Sequence, residues 1–343
     1  MSKKIFITGA TGFIGSHLSE LCVEKGFNVV AFDRYNPNNN WGWLENSKYK
    51  KEMEVILGDV RDYDSVSKAM KGCSKVMHLA ALIGIPYSYE SPLAYIRTNI
   101  EGTYNVIESA KNLSFDEILI TSTSETYGSA KYVPIDEKHP LIGQSPYAAS
   151  KIGADQLALS YYLTFDLPIK IVRPFNTYGP RQSLRAIIPT IISQILEKRG
   201  EIKLGNTLPT RDFLYVKDTC DGFLEILKSE ELFGEVVNIG VNSEISMRDL
   251  VRKIMEITGS KISIKEDISQ AIIKAAIQVF GEKPVVNGVS AEGTILKHVW
   301  IPCVLTGFAN SGANLHAPDE NIHVENYIKG IKYAAAIMEN FSN

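Results

Sequence analysis

Little in this sequence points toward a membrane, a nucleic acid or an oxidising compartment. Its 343 residues hold four cysteines, Cys22, Cys73, Cys220 and Cys303, with no CxxC pair and no finger-like spacing. Scattered singly, they read as reduced, mostly buried thiols of a cytoplasmic protein, which excludes a disulfide scaffold. No apolar run approaches the roughly 18 residues that a membrane-spanning helix needs. The opening Met1-Ser2-Lys3-Lys4 leads into an apolar stretch that meets Gly9 too soon for a secretory signal. Neither sign of charge is in excess. The 36 basic and 39 acidic side chains leave a net charge of −3, without the surplus that a general nucleic-acid or membrane-surface binder carries. One further absence is local: all ten arginines lie at or before Arg252, and the last 91 residues have none.

What is present is ordinary globular composition, 45% hydrophobic and 22% charged, in a length suited to about two domains at roughly 150 residues each. Short apolar runs alternate with helical spacing. Lys4-Ile5-Phe6-Ile7-Thr8 precedes a helix predicted over Phe13 to Lys25, and Asn28 to Phe32 is the next run. Val55 to Leu57, Val76 to Leu79, Ile118 to Ile120 and Ile169 to Val172 continue the theme. Continuous apolar strands between helices predict a parallel sheet covered on both faces, hence a doubly wound α/β fold. After about residue 175 the pattern loosens. Helices are expected over Ala186–Lys198 and Asp218–Lys228, and a strand over Glu235–Ile239. Another helix is expected over Ser246–Thr258, with Ser246 as its cap and Leu250, Ile254 and Ile257 on its apolar face. The expected organisation is a dinucleotide domain over 1–175 that also carries the catalytic residues, a substrate lobe over 176–268, and an atypical tail over 269–343.

Gly9, Gly12 and Gly15 punctuate the turn between the first strand and the first helix, with Phe13 and Ile14 opening the helix. Glycines there permit a tight turn, let a pyrophosphate approach the backbone, and leave the helix N-terminus facing the anion. Asp33 ends the second strand, where a carboxylate binds ribose hydroxyls and repels a 2′-phosphate. NAD is therefore expected over NADP, a preference that Arg34 beside it weakens slightly. Tyr147 and Lys151 stand four apart, on one helix face. A nearby ammonium, helped by a positive nicotinamide, would lower the phenol pKa so that it accepts a sugar hydroxyl proton.

These residues are joined by Gly58-Asp59-Val60-Arg61, His78-Leu79-Ala80-Ala81, Asn99 within Thr98–Thr103, and Arg173-Pro174-Phe175-Asn176. Over about residues 3–265 the set resembles the extended short-chain dehydrogenase/reductase family, specifically its nucleotide-sugar epimerases and dehydratases. The resemblance implies a Rossmann-type sheet with NAD as cofactor. It implies Asp59 and Val60 at the adenine, Lys151 at the nicotinamide ribose, and Leu79, Ala80, Ala81 and Asn99 along the cofactor. Ile85, Asn176, Arg181 and Arg211 would meet the UDP- or GDP-linked sugar. It also implies a homodimer through helices near Asn99–Lys111 and Tyr147–Leu163. His78 reads as packing rather than chemistry.

Thr123-Ser124-Glu125 narrows the class, because it resembles the Thr-Asp/Ser-Glu triplet of 4,6-dehydratases. In that chemistry Tyr147 deprotonates the sugar 4-hydroxyl beside Thr123, and Glu125 takes the C5 proton once C4 is a ketone. Water then leaves C6 with help from Ser124 or Glu125. UDP-glucuronate decarboxylases share the first oxidation, and a 4-epimerase is the other rival within the fold; an inactive dinucleotide-binding protein is the rival outside the enzymes. Asn38–Leu44 and Ala80–Tyr89 look like the legionaminic-acid-pathway subgroup, similar to dehydratases of nucleotide-activated N-acetylglucosamine. Trp41 and Trp43 serve equally as core or dimer packing.

Residues 270–341 instead resemble the C-terminal piece of a di-zinc exopeptidase, with His316 at a metal-ligand position. The companion ligands are missing, and one imidazole cannot build a zinc site, so His316 is expected to be metal-free and the chain is not read as a peptidase. If this tail replaces the nucleotide-side wall, NAD binding survives while sugar-nucleotide affinity falls.

Overall fold

The computed structural model describes residues 4–197, 200–204, 207 and 209–266. The exopeptidase-like stretch, with His298, Cys303, His316 and His323, lies outside the described residues.

The described chain opens with β1 (Lys4–Thr8), α1 (Phe13–Glu24), β2 (Asn28–Arg34), β3 (Met53–Gly58), α2 (Tyr63–Ala69) and β4 (Lys75–His78). It continues with α3 (Ile85–Glu90), α4 (Pro92–Tyr95), α5 (Gly102–Asn112), β5 (Glu117–Thr121), α6 (Pro146–Phe165), β6 (Ile169–Pro174) and β7 (Asn176–Tyr178). Then come α7 (Ile187–Leu196), β8 (Glu201–Leu204), β9 (Thr210–Arg211), β10 (Phe213–Tyr215), α8 (Val216–Lys228) and β11 (Val236–Ile239). The last are β12 (Ile245–Ser246), α9 (Met247–Thr258) and β13 (Ser263–Glu266).

Seven strands form one parallel sheet in the order β11-β6-β5-β4-β1-β2-β3. The reason is visible in single strands. Side chains alternate between faces, and here both faces are apolar. Ile5, Ile7, Val29 and Ala31 enter the core on one side with α1 and α8. Phe6, Val30 and Phe32 enter the other, with residues of α2, α5 and α6. A strand buried on both sides must read as a continuous apolar run, and it belongs in a doubly wound sheet. The chain departs from β1 toward β2 and β3 on one side, while β4, β5 and β6 extend the other. The carboxyl ends of β1 and β4 therefore flank the crevice where such sheets bind ligands. Cys22, Cys73 and Cys220 are buried free thiols, as expected.

Two compact units emerge. One contains Met1–Pro189 and Arg211–Ile245; the other contains Thr190–Thr210 and the described residues from Ser246 onward. In the second unit β8 pairs in parallel with β13, and the Gln194 amide clamps the Lys203 backbone, accepting from its N–H at 2.8 Å and donating to its carbonyl at 3.1 Å. Ser246 caps α9 by accepting from the Asp249 N–H at 3.0 Å. One expectation fails: Ile257 is 77% exposed, and Val251 is buried with Leu250 and Ile254 instead. The buried stripe is carried by the first two turns, and Ile257 falls in the last, beside the left-handed cap Gly259.

Candidate active site

All sequence-predicted site residues fall in the first unit. The glycine turn is built by close approach. Gly9 has φ +67°, and a Cβ there would stand 2.9 Å from the Ala80 nitrogen at the end of β4. A Cβ on Gly15 would stand 2.0 Å from the Gly9 carbonyl oxygen, so α1 can pack against the turn only without one. Gly12 is the N-cap of α1 and offers no side-chain bond, so the first N–H groups at Phe13 and Ile14 face outward uncapped, which is the arrangement that binds a phosphate. At the end of β2 the Asp33 carboxylate accepts from Thr11 through its N–H (2.8 Å) and its hydroxyl (2.6 Å). It is thereby fixed against the glycine turn.

Beyond Asp33 lies a cavity of about 550 Å³ lined by Arg34, Gly58, Asp59, Arg61 and Ser65, among others. Arg61 pairs with Asp59 at 2.5 Å and holds that carboxyl below its usual range. Val60 is buried, and its carbonyl accepts from Asn105 at 2.9 Å. A Cβ-free cradle, an uncapped helix terminus, a carboxylate at the second strand and an open cavity beyond it fit a dinucleotide. Leu79, Ala80 and Ala81 follow β4 along the same crevice, and the Leu79 and Ala80 N–H groups donate to Thr8 Oγ1, each at 3.1 Å.

Two elements bring the reactive groups together. Ser145 caps α6 through the Ala148 N–H (3.0 Å), Pro146 takes the first helical position, and Tyr147 and Lys151 follow on one face. After β5 the chain turns through a single 3-10 turn, Ser124–Tyr127, capped by the Thr123 hydroxyl, which accepts from the Glu125 N–H at 3.2 Å. The Tyr147 phenol feels both the Thr123 side chain and the Glu125 carboxylate. Burial first, then Glu125 and Asp155, push its pKa up, and Thr123 pulls it down. Lys151 is buried, with its pKa lowered by desolvation, and donates to the Thr121 carbonyl at 2.5 Å. Its head is thus anchored to the exit of β5, a partner that the four-residue spacing did not reveal.

Asn99 is fully buried within a π-helical turn, Ile96–Glu101. Its Oδ1 accepts from the Leu82 N–H (2.8 Å), and its Nδ2 donates to the Leu82 carbonyl (3.0 Å) and Ser150 Oγ (2.9 Å). It ties the loop following β4 to α6. His78 packs, as expected: Nδ1 meets Thr8 Oγ1 at 2.7 Å and Nε2 meets Thr103 Oγ1 at 3.0 Å. Of the residues expected at the sugar nucleotide, Ile85 opens α3. Asn176 donates through its backbone to the Asp212 carbonyl at 3.1 Å, which brings it beside Arg211. Arg181 is bonded to Ser16 Oγ and Glu20 on α1, each at 3.0 Å, with φ +71°. Trp41 packs against the core with Lys50 over its ring, while Trp43 is exposed.

Sequence reasoning missed Asp155 and Tyr127. The signal for the first was in reach, since Asp155 is one helical step of four beyond Lys151.

The pattern of the GDP-mannose 4,6 dehydratase family matches residues 6–283. The chain belongs to that family. The match runs past residue 268, where the loss of arginine had suggested a boundary. A dTDP-D-glucose 4,6-dehydratase of Dictyostelium discoideum is 33% identical over 271 residues, 75% of this chain; the chain spans only 62% of that relative's length. The Homo sapiens protein of the same name is 30% identical over 288 residues, covering 82% of this chain and 80% of the relative. Other members are named as a putative UDP-glucose 4-epimerase and a UDP-N-acetyl-alpha-D-glucosaminuronate decarboxylase. Among solved structures, dTDP-glucose 4,6-dehydratase of Bacillus anthracis in complex with NAD superposes with a TM-score of 0.70 at 28% identity, over 77% of this chain and 84% of that one. The parallel seven-stranded sheet is the frame this chain shares with such solved structures.

Proposed function

We propose that the chain is an NAD-retaining nucleotide-sugar 4,6-dehydratase, acting on an N-acetylglucosamine-like sugar carried on a UDP or GDP nucleotide. The observation that carries this reading is that Glu125 stands on the short turn capped by Thr123, and both residues act on the Tyr147 phenol. An oxidation at C4 alone, as in a 4-epimerase, needs only the phenol and its hydroxyl partner. A second base beside it makes sense where a C–H proton must also be removed.

Gly9, Gly12 and Gly15 with the start of α1 would hold the pyrophosphate, Asp33 the adenosine ribose, Asp59 and Val60 the adenine, and Lys151 the nicotinamide ribose. NAD held there would supply a reversible hydride acceptor for the oxidation at C4 and the reduction at C6. Tyr147 takes the 4-hydroxyl proton while the neighbouring Thr123 favours the phenolate. Glu125 removes the C5 proton, acidified by the neighbouring C4 ketone. The C6 hydroxyl leaves as water with a proton from Ser124 or Glu125; with hydride added at C6, C5 regains a proton, which balances the one taken by Tyr147, and the product is a 4-keto-6-deoxy sugar. Ile85, Asn176, Arg181 and Arg211 would line the sugar nucleotide.

The legionaminic-type likeness of Asn38–Leu44 and Ala80–Tyr89 supports the amino-sugar choice. The decarboxylase among the relatives keeps a second reading alive, since it shares the first oxidation. Nuclear magnetic resonance of products from UDP-N-acetylglucosamine, dTDP-glucose and UDP-glucuronate decides: a 4-keto-6-deoxy sugar is expected, while an epimer or released carbon dioxide sinks the assignment. Calorimetric titration with UDP-N-acetylglucosamine tests the arginine-free tail; micromolar affinity would show that no arginine wall is needed. We further propose a cytoplasmic homodimer, for which the exposed Tyr104 of α5 and Leu163 and Phe165 of α6 offer apolar surface. Among the described residues no helix is long and apolar enough to cross a membrane.

A further inference from the structure

A buried polar chain lies behind the two bases, and one guanidinium sits at its centre. Arg173, on β6, is 2% exposed. It donates to Asp155 Oδ2 from Nη2 (2.8 Å) and Nε (3.2 Å), and to the Tyr127 hydroxyl from Nη1 (3.0 Å). The guanidinium also stands 5.0 Å from the centre of the Tyr127 ring. Asp155 lies on α6 in the row Tyr147, Lys151, Asp155, about 12 Å along the axis from the phenol's residue at 1.5 Å per residue. Tyr127 closes the 3-10 turn that carries Glu125, a turn pinned by the Thr126 hydroxyl on the Thr123 carbonyl at 2.8 Å. The Tyr127 hydroxyl is held in turn, donating to Asn238 Oδ1 at 2.7 Å.

We propose that Arg173 is a positioning residue that keeps the proton acceptor of α6 and the carboxylate of the 3-10 turn in register, by binding Asp155 on one element and Tyr127 on the other. The proposal rests on the dehydratase reading, because only a two-base reaction needs that register. Oxidation at C4 requires Tyr147 alone. Removal of the C5 proton requires Glu125 to stand correctly over a sugar already fixed by Tyr147, and a misplacement of about 1 Å costs on the order of 100-fold. A buried ion pair that served the fold alone would weaken both steps together.

Tyr127→Phe is the mild variant, since it removes one hydroxyl and keeps the ring under the guanidinium. With dTDP-glucose and UDP-N-acetylglucosamine as probes, KM should stay within about twofold while kcat falls about tenfold. Reduced NAD, read from its near-ultraviolet absorbance, should build up during turnover where the unmodified protein shows little. Unchanged turnover, or oxidation and elimination slowed by one common factor, overturns the proposal. If the unmodified protein turns over neither sugar, the dehydratase reading fails, and the clamp is judged on substrate-free protein. There Asp155→Asn should speed amide hydrogen exchange at Thr126 and Gly128 about tenfold, and Ser122→Ala, which removes the other bond to Asp155, should not. Faster exchange confined to α6 in Asp155→Asn overturns it.

Discussion

Thr123, just past the end of β5, accepts from the Glu125 N–H at 3.2 Å, and burial first, then the Glu125 carboxylate, raises the pKa of the Tyr147 phenol. Glu125→Gln should therefore do two things. Elimination should slow by about 100-fold or more, the usual worth of a general base, so that reduced NAD persists after substrate is added. The first oxidation should also move to lower pH, because a negative charge that disfavours phenolate has gone. Stopped-flow traces over a pH series read both effects. Tyr147→Phe should abolish the oxidation itself.

The glycine turn gives a contrast between two substitutions. Gly15→Ala sets a methyl 2.0 Å from the Gly9 carbonyl oxygen, a backbone atom that cannot swing aside. It should cost about 3 kcal/mol or more, or prevent folding. Gly26→Ala meets nothing within 4 Å and bears only the strain of φ +82°, about 1–2 kcal/mol. Urea denaturation of the two variants checks the order; equal losses would mean that the close approach of α1 to the turn is wrong.

Asp33 should set the choice of dinucleotide. Asp33→Asn keeps an acceptor for Thr11 but removes the charge, and NAD affinity should drop about tenfold as a charge-assisted bond is lost. Discrimination against NADP should shrink with it, helped by Arg34 and Arg61 around the neighbouring cavity. Calorimetric titration with each dinucleotide measures the ratio, and an unchanged ratio would remove Asp33 from the ribose.

Acid should reach the fold through His78. Burial, and secondarily Lys151, lowers its pKa from 6.5 to about 3. Between those values the unfolded chain takes up a proton that the folded chain refuses, so stability falls as pH drops. The loss is at most about 1.4 kcal/mol per pH unit, or about 2 kcal/mol from pH 6.5 to 5. His78→Gln should start about 1–3 kcal/mol less stable because the buried bonds of the ring to Thr8 and Thr103 are lost. Its stability should then decline less steeply with acid. Denaturation at pH 7.5 and 5 compares the slopes; parallel slopes would mean that His78 is charged when folded.

The sequence by itself determined the sheet and the cradle. Ile5-Phe6-Ile7 and Val29 to Phe32 are apolar at every position, and only a strand buried on both faces tolerates that. Gly9 and Gly15 mark a place where no Cβ fits, Asp33 falls at the end of a strand, and Tyr147 and Lys151 share a face by helical spacing alone. Each of these follows from residues near one another in the chain, where backbone geometry fixes the outcome. The tertiary structure decided what long-range packing decides. It set Glu125 against Tyr147, seated Lys151 on the Thr121 carbonyl, turned Arg181 onto α1, and threaded Arg173 between Asp155 and Tyr127. It also buried Val251 where the heptad-like spacing had favoured Ile257. Strand order and helix docking bring those partners together, and buried charge then has to find its hydrogen bonds wherever the packing leaves them.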